Sequence, residues 1–500
     1  MREINSRQRT PVPICRRGFG YLSPAIRAFA IMGLVGIPAG VPTVGHAEQP
    51  PVMKPETETS DDIPNPYPRE PDNSAVVIRL PTELADGRSD VSGPIQNAID
   101  QAASKGGTVV FPPGRFFIGE LLTLRSNVTL LGARPDQTFV EDRDPKMPPV
   151  EKSAAKAVGG ASTLIQADNL GTMIAARPRG DEQCRNVAVR GLDFVVEGSE
   201  NNKNQQFMDF TQCRDAYVGH CSFDSSSKAG RFGMFHQVDF TQCDGTTCIH
   251  NRFHNSLAGT GVNGARWLPE TGKRGYFAMN LVTEYADTGI GLWTGAHDCL
   301  VERNVLRGLS SGDDPYAVGV DCDGPHHCTI RRNSIVDGQI GVRLYDCHDG
   351  EYPINAVTVA ENSIGGQRNN PNGNPAACIK VVHQIHPSIK QYNMDFDIRD
   401  NRFEIVTRGI MMWSYAARGG PHWCSPGIRA NRFVNEPGDQ RLVITVGGYR
   451  SDGQYIFQRG RNDLTGNGAK LDAAQFESQL TQHSEGNPLI KVDDGPSPKN

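Results

Sequence analysis

Apolar and polar positions alternate with a period of two along most of the chain, in short runs separated by turns rich in Gly, Asp and Asn. The stretch 287–347 contains three consecutive copies of one unit, a Gly-rich apolar run (GIGLW, AVGV, IGVRL) followed by a polar turn. No long apolar pattern with the 3.6-residue period of a helix lies between them. Short alternating strands that repeat about every 25 residues are typical of a solenoid of stacked parallel strands.

Two further repeats support stacked coils. Three segments run from Cys to Phe over ten positions: CRNVAVRGLDF (184–194), CRDAYVGHCSF (213–223) and CDGTTCIHNRF (243–253). We expect each Cys and each Phe to stack on its equivalent in the next coil. An Asn recurs in RNVL, RNSI, ENSI, DNRF and ANRF. An Asn at one turn position predicts a polar ladder that satisfies the backbone groups of the turns.

One segment departs from this rhythm. Residues 91–107, VSGPIQNAIDQAASKGG, place five apolar side chains on one helical face: Ile95, Ala98, Ile99, Ala102 and Ala103. The pattern predicts an amphipathic helix that ends at Gly106-Gly107. Strands TVVFPPG, FFIGELLTL and NVTLLGA follow.

The helix followed by GGTVVFPPGRFFIGELLTLRSNVTLLG resembles the N-terminal cap of the pectate-lyase-like right-handed parallel β-helix superfamily. In that superfamily the helix covers the open end of the solenoid core. The resemblance implies an all-β fold, a right-handed parallel β-helix solenoid with an N-terminal capping helix. We assign residues 76–450 to this domain and 451–500 to a C-terminal tail. Residues 135–160 break the rhythm and are predicted to be a loop beside the groove or a disordered excursion.

The N-terminal region has the pattern of an exported protein. Residues 1–47 combine Arg16-Arg17 with an apolar stretch and the small-x-small end Gly45-His46-Ala47, which predicts a cleaved signal peptide. Arg16-Arg17-Gly18-Phe19 also resembles a twin-arginine signal. An ordinary secretory signal is the alternative. Residues 48–75 are rich in Pro and acidic residues and are predicted to be a disordered linker. The expected location is periplasmic or secreted.

Composition narrows the class of partner. The chain has a net charge of −5, which gives no indication of nucleic acid binding. No later segment is apolar for long enough to be a membrane anchor after signal cleavage. Eleven of the twelve cysteines follow the cleavage site, and we expect buried thiols with one or two disulfides. The Cys and His spacings do not predict a metal site.

A candidate groove follows from aligning the apolar runs on Ile290, Val318, Ile340, Ile379 and Ile410. If these residues point inward, alternate residues point outward. The outward positions are then Gly291, Gly319, Gly341, Lys380 and Met411, and beside them Trp293, Asp321, Arg343, Val382 and Trp413. Asp321 and Arg343 are predicted on adjacent rungs, between two tryptophans and beside a trough of glycines. This row indicates a sugar-binding groove, and ordinary exposed surface is the alternative.

Residues 287–380 also resemble the polygalacturonase-type glycoside hydrolases, which carry Asn-Thr-Asp, Gly-Asp-Asp, Gly-His-Gly and Arg-Ile-Lys on successive coils. The corresponding positions here are Ala286-Asp287-Thr288, Gly312-Asp313-Asp314, Gly338-Gln339-Ile340 and Cys378-Ile379-Lys380. The order matches, although the His and the Arg are replaced. The resemblance implies a carbohydrate-active groove.

Two mechanisms compete. Hydrolysis by paired carboxyl groups would use Asp287, Asp313, Asp314 and Asp321, and the resemblance favours it. β-Elimination or C5-epimerisation of a uronate would instead use Arg343 and Lys380, with His383 or Tyr345 as proton donor. Trp293, Tyr345, His383 and Trp413 are predicted to bind substrate. A non-catalytic polysaccharide-binding solenoid is a third interpretation.

The expected partner is a polysaccharide, acidic if the site acts on uronates. No cofactor is required for hydrolysis. If the protein is a lyase, the resemblance implies Ca²⁺, for which the available ligands are Asp313, Asp314, Asp321 and Asp323.

Overall fold

The structure is a computed structural model, and it describes most of the chain from residue 69 onward. The described residues are 69–142, 144, 147–152, 160–180, 182–196, 205–225, 236–255, 258–263, 272–309, 317–346, 354–369, 376–384, 392–404, 408–415, 422–434, 442–449, 454–458, 462–466, 469–470 and 490–493. Of these, 258–263, 383–384, 392–393, 414–415, 422–425 and 442–493 are described by their backbone alone. The predicted signal peptide and residues 48–68 of the predicted linker lie outside the described residues, whereas residues 69–75 are described.

Alternating apolar residues build a first sheet, sheet I, of eleven parallel strands. Its strands are Leu122–Leu124, Thr172–Ala176, Gln206–Thr211, His236–Thr241, Ala258–Asn263, Thr288–Trp293, Val318–Asp323, Ile340–Tyr345, Ala377–Gln384, Arg408–Tyr415 and Leu442–Tyr449. Neighbours in this order pair in parallel.

The remaining parallel strands form two further faces, sheet II and sheet III. Sheet II contains Val76–Arg79, Gly107–Val110, Val128–Leu131, Arg185–Arg190, Arg214–Gly219, Asp244–Ile249, Lys273–Ala278, Leu300–Glu302, Thr329–Arg331, Val357–Ala360 and Tyr392–Arg399. Sheet III contains Asp86–Asp90, Gly114–Ile118, Ser162–Gln166, Asp193–Val196, Ser222–Asp224, Arg252–His254, Leu281–Tyr285, Val305–Gly308, Ser334–Val336, Ser363–Gly365 and Arg402–Glu404. Each full coil contributes one strand to each sheet, which confirms the predicted parallel β-helix.

Both ends of the solenoid are defined by their pairing. The helix Ser92–Ala103, preceded by the 3₁₀ turn Thr82–Leu84, packs Ile95 and Ile99 into the core and confirms the capping helix. At the other end, strand His422–Val434 pairs with both sheet II and sheet III. The strands Gln454–Gln458, Asn462–Gly466, Ala469–Lys470 and Ile490–Asp493 continue this sheet. The pairing therefore extends past residue 450, where the tail was predicted to begin. No helix in the described part of the chain is long and apolar enough to cross a membrane.

Ladders of identical side chains fill the core. The rings of Phe194, Phe223 and Phe253 stack with centroids 4.9 and 4.8 Å apart, as the Cys-to-Phe repeat predicts. All nine cysteines with described side chains are buried free thiols, so the predicted disulfides are absent among them: Cys184, Cys213, Cys221, Cys243, Cys248, Cys299, Cys322, Cys328 and Cys378. A buried thiol behaves as a small hydrophobic group.

The asparagine ladder runs through seven coils at the turn between sheets II and III. Its members are Asn251, Asn280, Asn304, Asn333, Asn362, Asn401 and Asn431, all fully buried. From Asn280 onward, each side-chain oxygen accepts from the backbone N–H and the amide of the Asn one coil earlier, whereas that of Asn251 accepts from the N–H of Cys221. Each amide also donates to a strand carbonyl. The five Asn predicted to form a ladder are therefore confirmed, and Asn251 and Asn280 extend it.

Asn333→Ala is expected to lower the free energy of unfolding by about 2–4 kcal/mol, because it leaves the buried N–H of Asn304 and the carbonyl of Val301 unpaired. Chemical denaturation followed by circular dichroism would measure the loss. The neighbouring half-buried Ser334→Ala serves as control and should cost under about 1 kcal/mol. Equal stability of the two variants would contradict a structural role for the ladder.

The segment 134–152 does not lie beside a groove on sheet I, contrary to one of the two predictions for this region. It includes the antiparallel pair Val140–Glu141 and Val150–Glu151. Val140 packs against Leu281 and Val305, which follow the turn between sheets II and III. Burial of apolar side chains explains this position of the segment, because these residues form a small cluster separate from the main core.

Candidate active site

The register of sheet I decides which side chains meet on its outer surface. Ile290 pairs with Val320 and Val320 with Val342, whereas the sequence alignment had placed Ile290 beside Val318 and Ile340. The predicted alignment is therefore wrong by two residues at this step, and again at the step from Ile340, which pairs with Ala377 rather than with Ile379. Because a shift of two keeps each side chain on its own face, the outward residues remain outward.

Two outward columns result. The charged column runs from Gly291 through Asp321, Arg343 and Lys380 to Met411, one residue per coil. The aromatic column, two residues further along each strand, contains Trp293, Asp323, Tyr345, Val382 and Trp413. Asp321 and Arg343 are adjacent as predicted, but the two tryptophans belong to the neighbouring column.

The predicted trough of glycines is also corrected. Gly319 and Gly341 are level with Gly289 rather than with Gly291. A Cβ at Gly289 would lie 2.6 Å from the carbonyl oxygen of Gly319, and one at Gly319 would lie 2.6 Å from that of Gly341. These glycines therefore permit close approach of successive strands and do not form an open trough.

Asp321 and Arg343 form a buried bidentate pair at the centre of the charged column. Arg343 Nε donates to Asp321 Oδ1 at 2.7 Å, and Nη2 donates to Oδ2 at 2.5 Å. The side chain of Asp321 is 3% exposed and that of Arg343 is 26% exposed. Burial opposes the charge on Arg343, but attraction to Asp321, Asp287 and Asp323 outweighs it and raises the pKa of Arg343.

Trp293 completes the surroundings of Asp321. Its indole N–H donates to Asp321 Oδ2 at 3.3 Å, and the hydroxyl of Thr288 lies 3.5 Å from the same oxygen. The Trp293 ring lies over Gly291, where an added Cβ would come within 2.5 Å of it. Both oxygens of Asp321 are thus engaged by the protein.

Lys380 is the next residue of the charged column after Arg343. It is half-buried, and no carboxylate in the described part of the chain forms an ion pair with it. Burial, together with the positive charges of Arg343 and Arg408, lowers the pKa of Lys380 to about 8. A substantial fraction of this amine is therefore neutral near pH 8, which ordinary surface lysines are not.

The other predicted residues are placed as follows. Tyr345 is half-buried, with its ring centroid 5.8 Å from Arg343 Cζ. Trp413 is half-buried and two coils beyond Tyr345. Asp287 is half-buried, immediately before strand Thr288–Trp293. Only the backbone of His383 is described, and Asp313 and Asp314 lie outside the described residues.

Sequence reasoning missed His236, which adjoins the site. Its ring centroid lies 4.8 Å from that of Trp293, and its Nδ1 lies 3.4 Å from Asp239 Oδ2. Asp239 is in the charged column, two coils before Gly291. The repeat DFTQC marks Asp209 and Asp239 as equivalent positions on neighbouring strands, but it gives no signal for His236.

Two of the four predicted Ca²⁺ ligands, Asp313 and Asp314, lie outside the described residues. Of the other two, Asp321 accepts hydrogen bonds on both oxygens from Arg343, and on Oδ2 from Trp293 as well. Within the described ranges, no three His, Cys, Asp or Glu side chains are grouped to hold a metal ion.

Comparisons with known proteins agree with this fold. A family model described as "Rhamnogalacturonase A/epimerase, pectate lyase-like" matches residues 84–345, about half of the chain. The catalytic unit of a GH87 α-1,3-glucanase from Streptomyces thermodiastaticus is 14% identical with a TM-score of 0.52, covering 86% of this chain and 70% of that one.

Two other solved structures are more distant in shape. DFA-IIIase from Arthrobacter chlorophenolicus is 15% identical with a TM-score of 0.48, covering 77% of this chain and 96% of that one. The A-module of a mannuronan C-5 epimerase from Azotobacter vinelandii is 16% identical with a TM-score of 0.40, covering 77% and 96%. No curated protein matches the sequence. At 14% identity, the likeness to the GH87 α-1,3-glucanase shows the fold alone.

Proposed function

Because this chain belongs to the rhamnogalacturonase A/epimerase, pectate lyase-like family, we propose that it is a carbohydrate-active enzyme that removes the C5 proton of a uronate residue in an acidic polysaccharide. The observation that carries this proposal is the adjacency of Lys380 and Arg343 on the outer surface of sheet I. The family description joins a rhamnogalacturonase with an epimerase, so chemistry at this site has to be argued from its residues.

Lys380 supplies the base. Proton abstraction next to a carboxylate needs a group that is unprotonated at working pH and still basic enough to take the proton. An amine with a pKa of about 8 meets both requirements, whereas an ordinary lysine is almost fully protonated at neutral pH. Its outward position on the strand makes it accessible to a chain lying on sheet I.

Arg343 supplies the positive charge that the reaction needs. When C5 loses its proton, negative charge builds on the uronate carboxylate, and a fixed cation stabilises it. A guanidinium has five N–H donors, of which Asp321 receives two. The partly exposed remainder can bind a carboxylate of the substrate. Asp321 holds the guanidinium plane in one orientation.

The fate of the carbanion separates two reactions. In β-elimination the electron pair of the C5–H bond forms the C4=C5 double bond, the C4–O4 bond breaks, and the leaving oxygen takes a proton from an acid such as Tyr345. In epimerisation the C4–O4 bond stays and a proton returns to C5 from the opposite face. Tyr345, two residues beyond Arg343 on the same strand, is the proposed donor in either reaction. We propose elimination first, because Tyr345 lies on the same face of sheet I as Lys380, whereas epimerisation needs a donor on the face of the sugar opposite the base.

Hydrolysis is the second candidate. A general acid must offer its own proton to the glycosidic oxygen, and Asp321, with both oxygens engaged, is poorly suited to that role. A hydrolase would need another pair of carboxyl groups, for which Asp287 and Asp323, which both interact with Arg343, are the described candidates.

One experiment distinguishes these functions. The purified protein would be incubated with a panel of acidic and neutral polysaccharides in D₂O, with and without a chelator. New reducing ends with the ultraviolet absorbance of unsaturated uronates support elimination, and deuterium at C5 of an intact polymer supports epimerisation. Reducing ends without the chromophore would favour hydrolysis. Binding without any reaction would favour a non-catalytic solenoid. We propose that activity survives the chelator.

We propose export for the same protein, because residues 1–47 carry Arg16-Arg17 and the small-x-small end Gly45-His46-Ala47. Fractionation of producing cells, with N-terminal sequencing of the mature chain, tests this proposal. Retention of a full-length chain inside the cell would contradict it.

A further inference from the structure

The sequence pattern assigned Trp293 to substrate binding, as an aromatic platform, but its surroundings in the structure differ from those of a platform. One edge of the indole donates to Asp321, and its ring packs against that of His236 with centroids 4.8 Å apart. Beneath it, Gly291 leaves room for the ring, because a Cβ there would lie 2.5 Å from two ring carbons. The indole is held by the protein on these sides.

We propose that Trp293 is a positioning residue, a brace that holds Asp321, and through Asp321 the guanidinium of Arg343, in the orientation the reaction needs. This inference rests on the proposed function. His236 supports the ring, and Asp239 in turn lies beside His236. The Asp321–Arg343 pair and the contact between His236 and Asp239, on different coils, are thus connected through one indole.

The geometry explains why a brace is needed. The side chain of Arg343 is 26% exposed and reaches toward the outer surface, where its N–H groups could swing toward water. The two hydrogen bonds from Arg343 to Asp321 fix the plane of the guanidinium only if the carboxylate of Asp321 is itself held in place. Asp321 is fixed on its other side by the Trp293 N–H and lies near the Thr288 hydroxyl. Loss of the indole hydrogen bond would free the carboxylate to rotate with its guanidinium.

A brace and a platform predict different kinetics. Removing a platform raises KM with little change in kcat, because ground-state and transition-state binding are lost together. Removing a brace lowers kcat by a larger factor than it raises KM, because the cation no longer meets the charge that develops on the uronate. Trp293→Phe keeps most of the ring and removes the N–H. We expect kcat to fall about 10- to 100-fold.

Gly291→Ala tests the same brace without altering any polar group. The added methyl group must displace the Trp293 ring, which is a movable side chain, so the fold is retained while the hydrogen bond to Asp321 is lost. We expect the same fall in kcat as for Trp293→Phe, together with a change in tryptophan fluorescence. The matched control is Gly171→Ala, since nothing lies within 4 Å of a Cβ at Gly171.

The pH dependence of kcat/KM distinguishes a positioning role of Trp293 from a purely structural one, because loss of a structural contact alone would not change it. When the carboxylate of Asp321 no longer lies close to Arg343, the positive charge of Arg343 acts more strongly on Lys380 and lowers its pKa. The inflection in the plot of kcat/KM against pH therefore moves to lower pH. Unchanged kcat with a raised KM in Trp293→Phe would overturn the brace in favour of a platform. Full activity of Gly291→Ala would overturn it as well. Full activity of Lys380→Gln would instead overturn the proposed function itself.

Discussion

Lys380→Gln is expected to lower kcat/KM at least about 10³-fold on a uronate-containing polymer, because it removes the group that takes the C5 proton. Lys380→Arg should be nearly as inactive, since a guanidinium keeps the charge but stays protonated at every working pH. In the unaltered protein kcat/KM should rise with pH and level off above a pKa of about 8, because the amine acts only when unprotonated. Initial rates between about pH 6 and 10 would measure this profile.

Lys273→Gln is the matched control for this prediction. Lys273 is also half-buried, but it lies on sheet II and its Nζ is 3.8 Å from Asp244. We expect its kcat/KM and its pH profile to match those of the unaltered protein. A Lys380→Gln variant that retained activity with its rise near pH 8 intact would remove Lys380 from the reaction.

Asp321→Asn is expected to affect stability and activity together. The free energy of unfolding should fall by about 2–3 kcal/mol, because a buried guanidinium loses its counter-charge and an amide can accept only one of its two hydrogen bonds. The kcat/KM value should fall about 10²- to 10³-fold as Arg343 loses its orientation. The inflection near pH 8 should move downward, since the uncompensated Arg343 disfavours the charged form of Lys380. Urea unfolding and pH-rate profiles would measure these effects.

An exposed ion pair provides the comparison. Arg402 donates to Glu404 at 2.9 Å, with side chains 47% and 57% exposed. Glu404→Gln should change the free energy of unfolding by less than about 1 kcal/mol, because water screens such pairs. In Asp321→Asn combined with Arg343→Gln, stability should partly recover while activity does not. Equal stability of Asp321→Asn and the unaltered protein would show that the buried pair contributes nothing to the fold.

The sequence predicted the adjacency of Asp321 and Arg343 for a physical reason. Both follow runs of the same form, VGVD and IGVR, so alternation alone sets them on one face at equal depth in their strands. The fold class followed equally from repeats of Cys, Phe and Asn, since such ladders form only when strands stack in parallel and in register.

The position of Trp293 could not be obtained from the same alternation. Alternation defines which face of the strand a residue occupies but not its level along the strand. An alignment of each run on its first large apolar residue therefore assigns Trp293 to the wrong level. The glycine before the Ile or Val is the better marker: Gly289, Gly319, Gly341 and Gly409 occupy the second position of their strands. Close strand approach excludes larger side chains at Gly289, Gly319 and Gly341. Aligning on this glycine places Trp293 level with Asp323.

The role of His236 was beyond the sequence. It lies 57 positions before Trp293 in the chain, and nothing in DFTQC indicates that the residue three positions before Asp239 reaches an indole two coils away. Contacts of this kind depend on rotamers and on the twist between successive coils, which repeat patterns do not encode.

Trp293, Asp321, Arg343 and Lys380 come from four successive coils, each hydrogen-bonded only to its two neighbours along sheet I. Gain or loss of a whole turn of the solenoid elsewhere would leave this group untouched, whereas one extra turn between Asp321 and Arg343 would increase their separation from one strand spacing to two, from about 4.8 to about 9.6 Å. Such architectures can therefore lengthen or shorten around a reactive centre over evolutionary time. The surface available to a long glycan can change in this way while the chemistry stays the same.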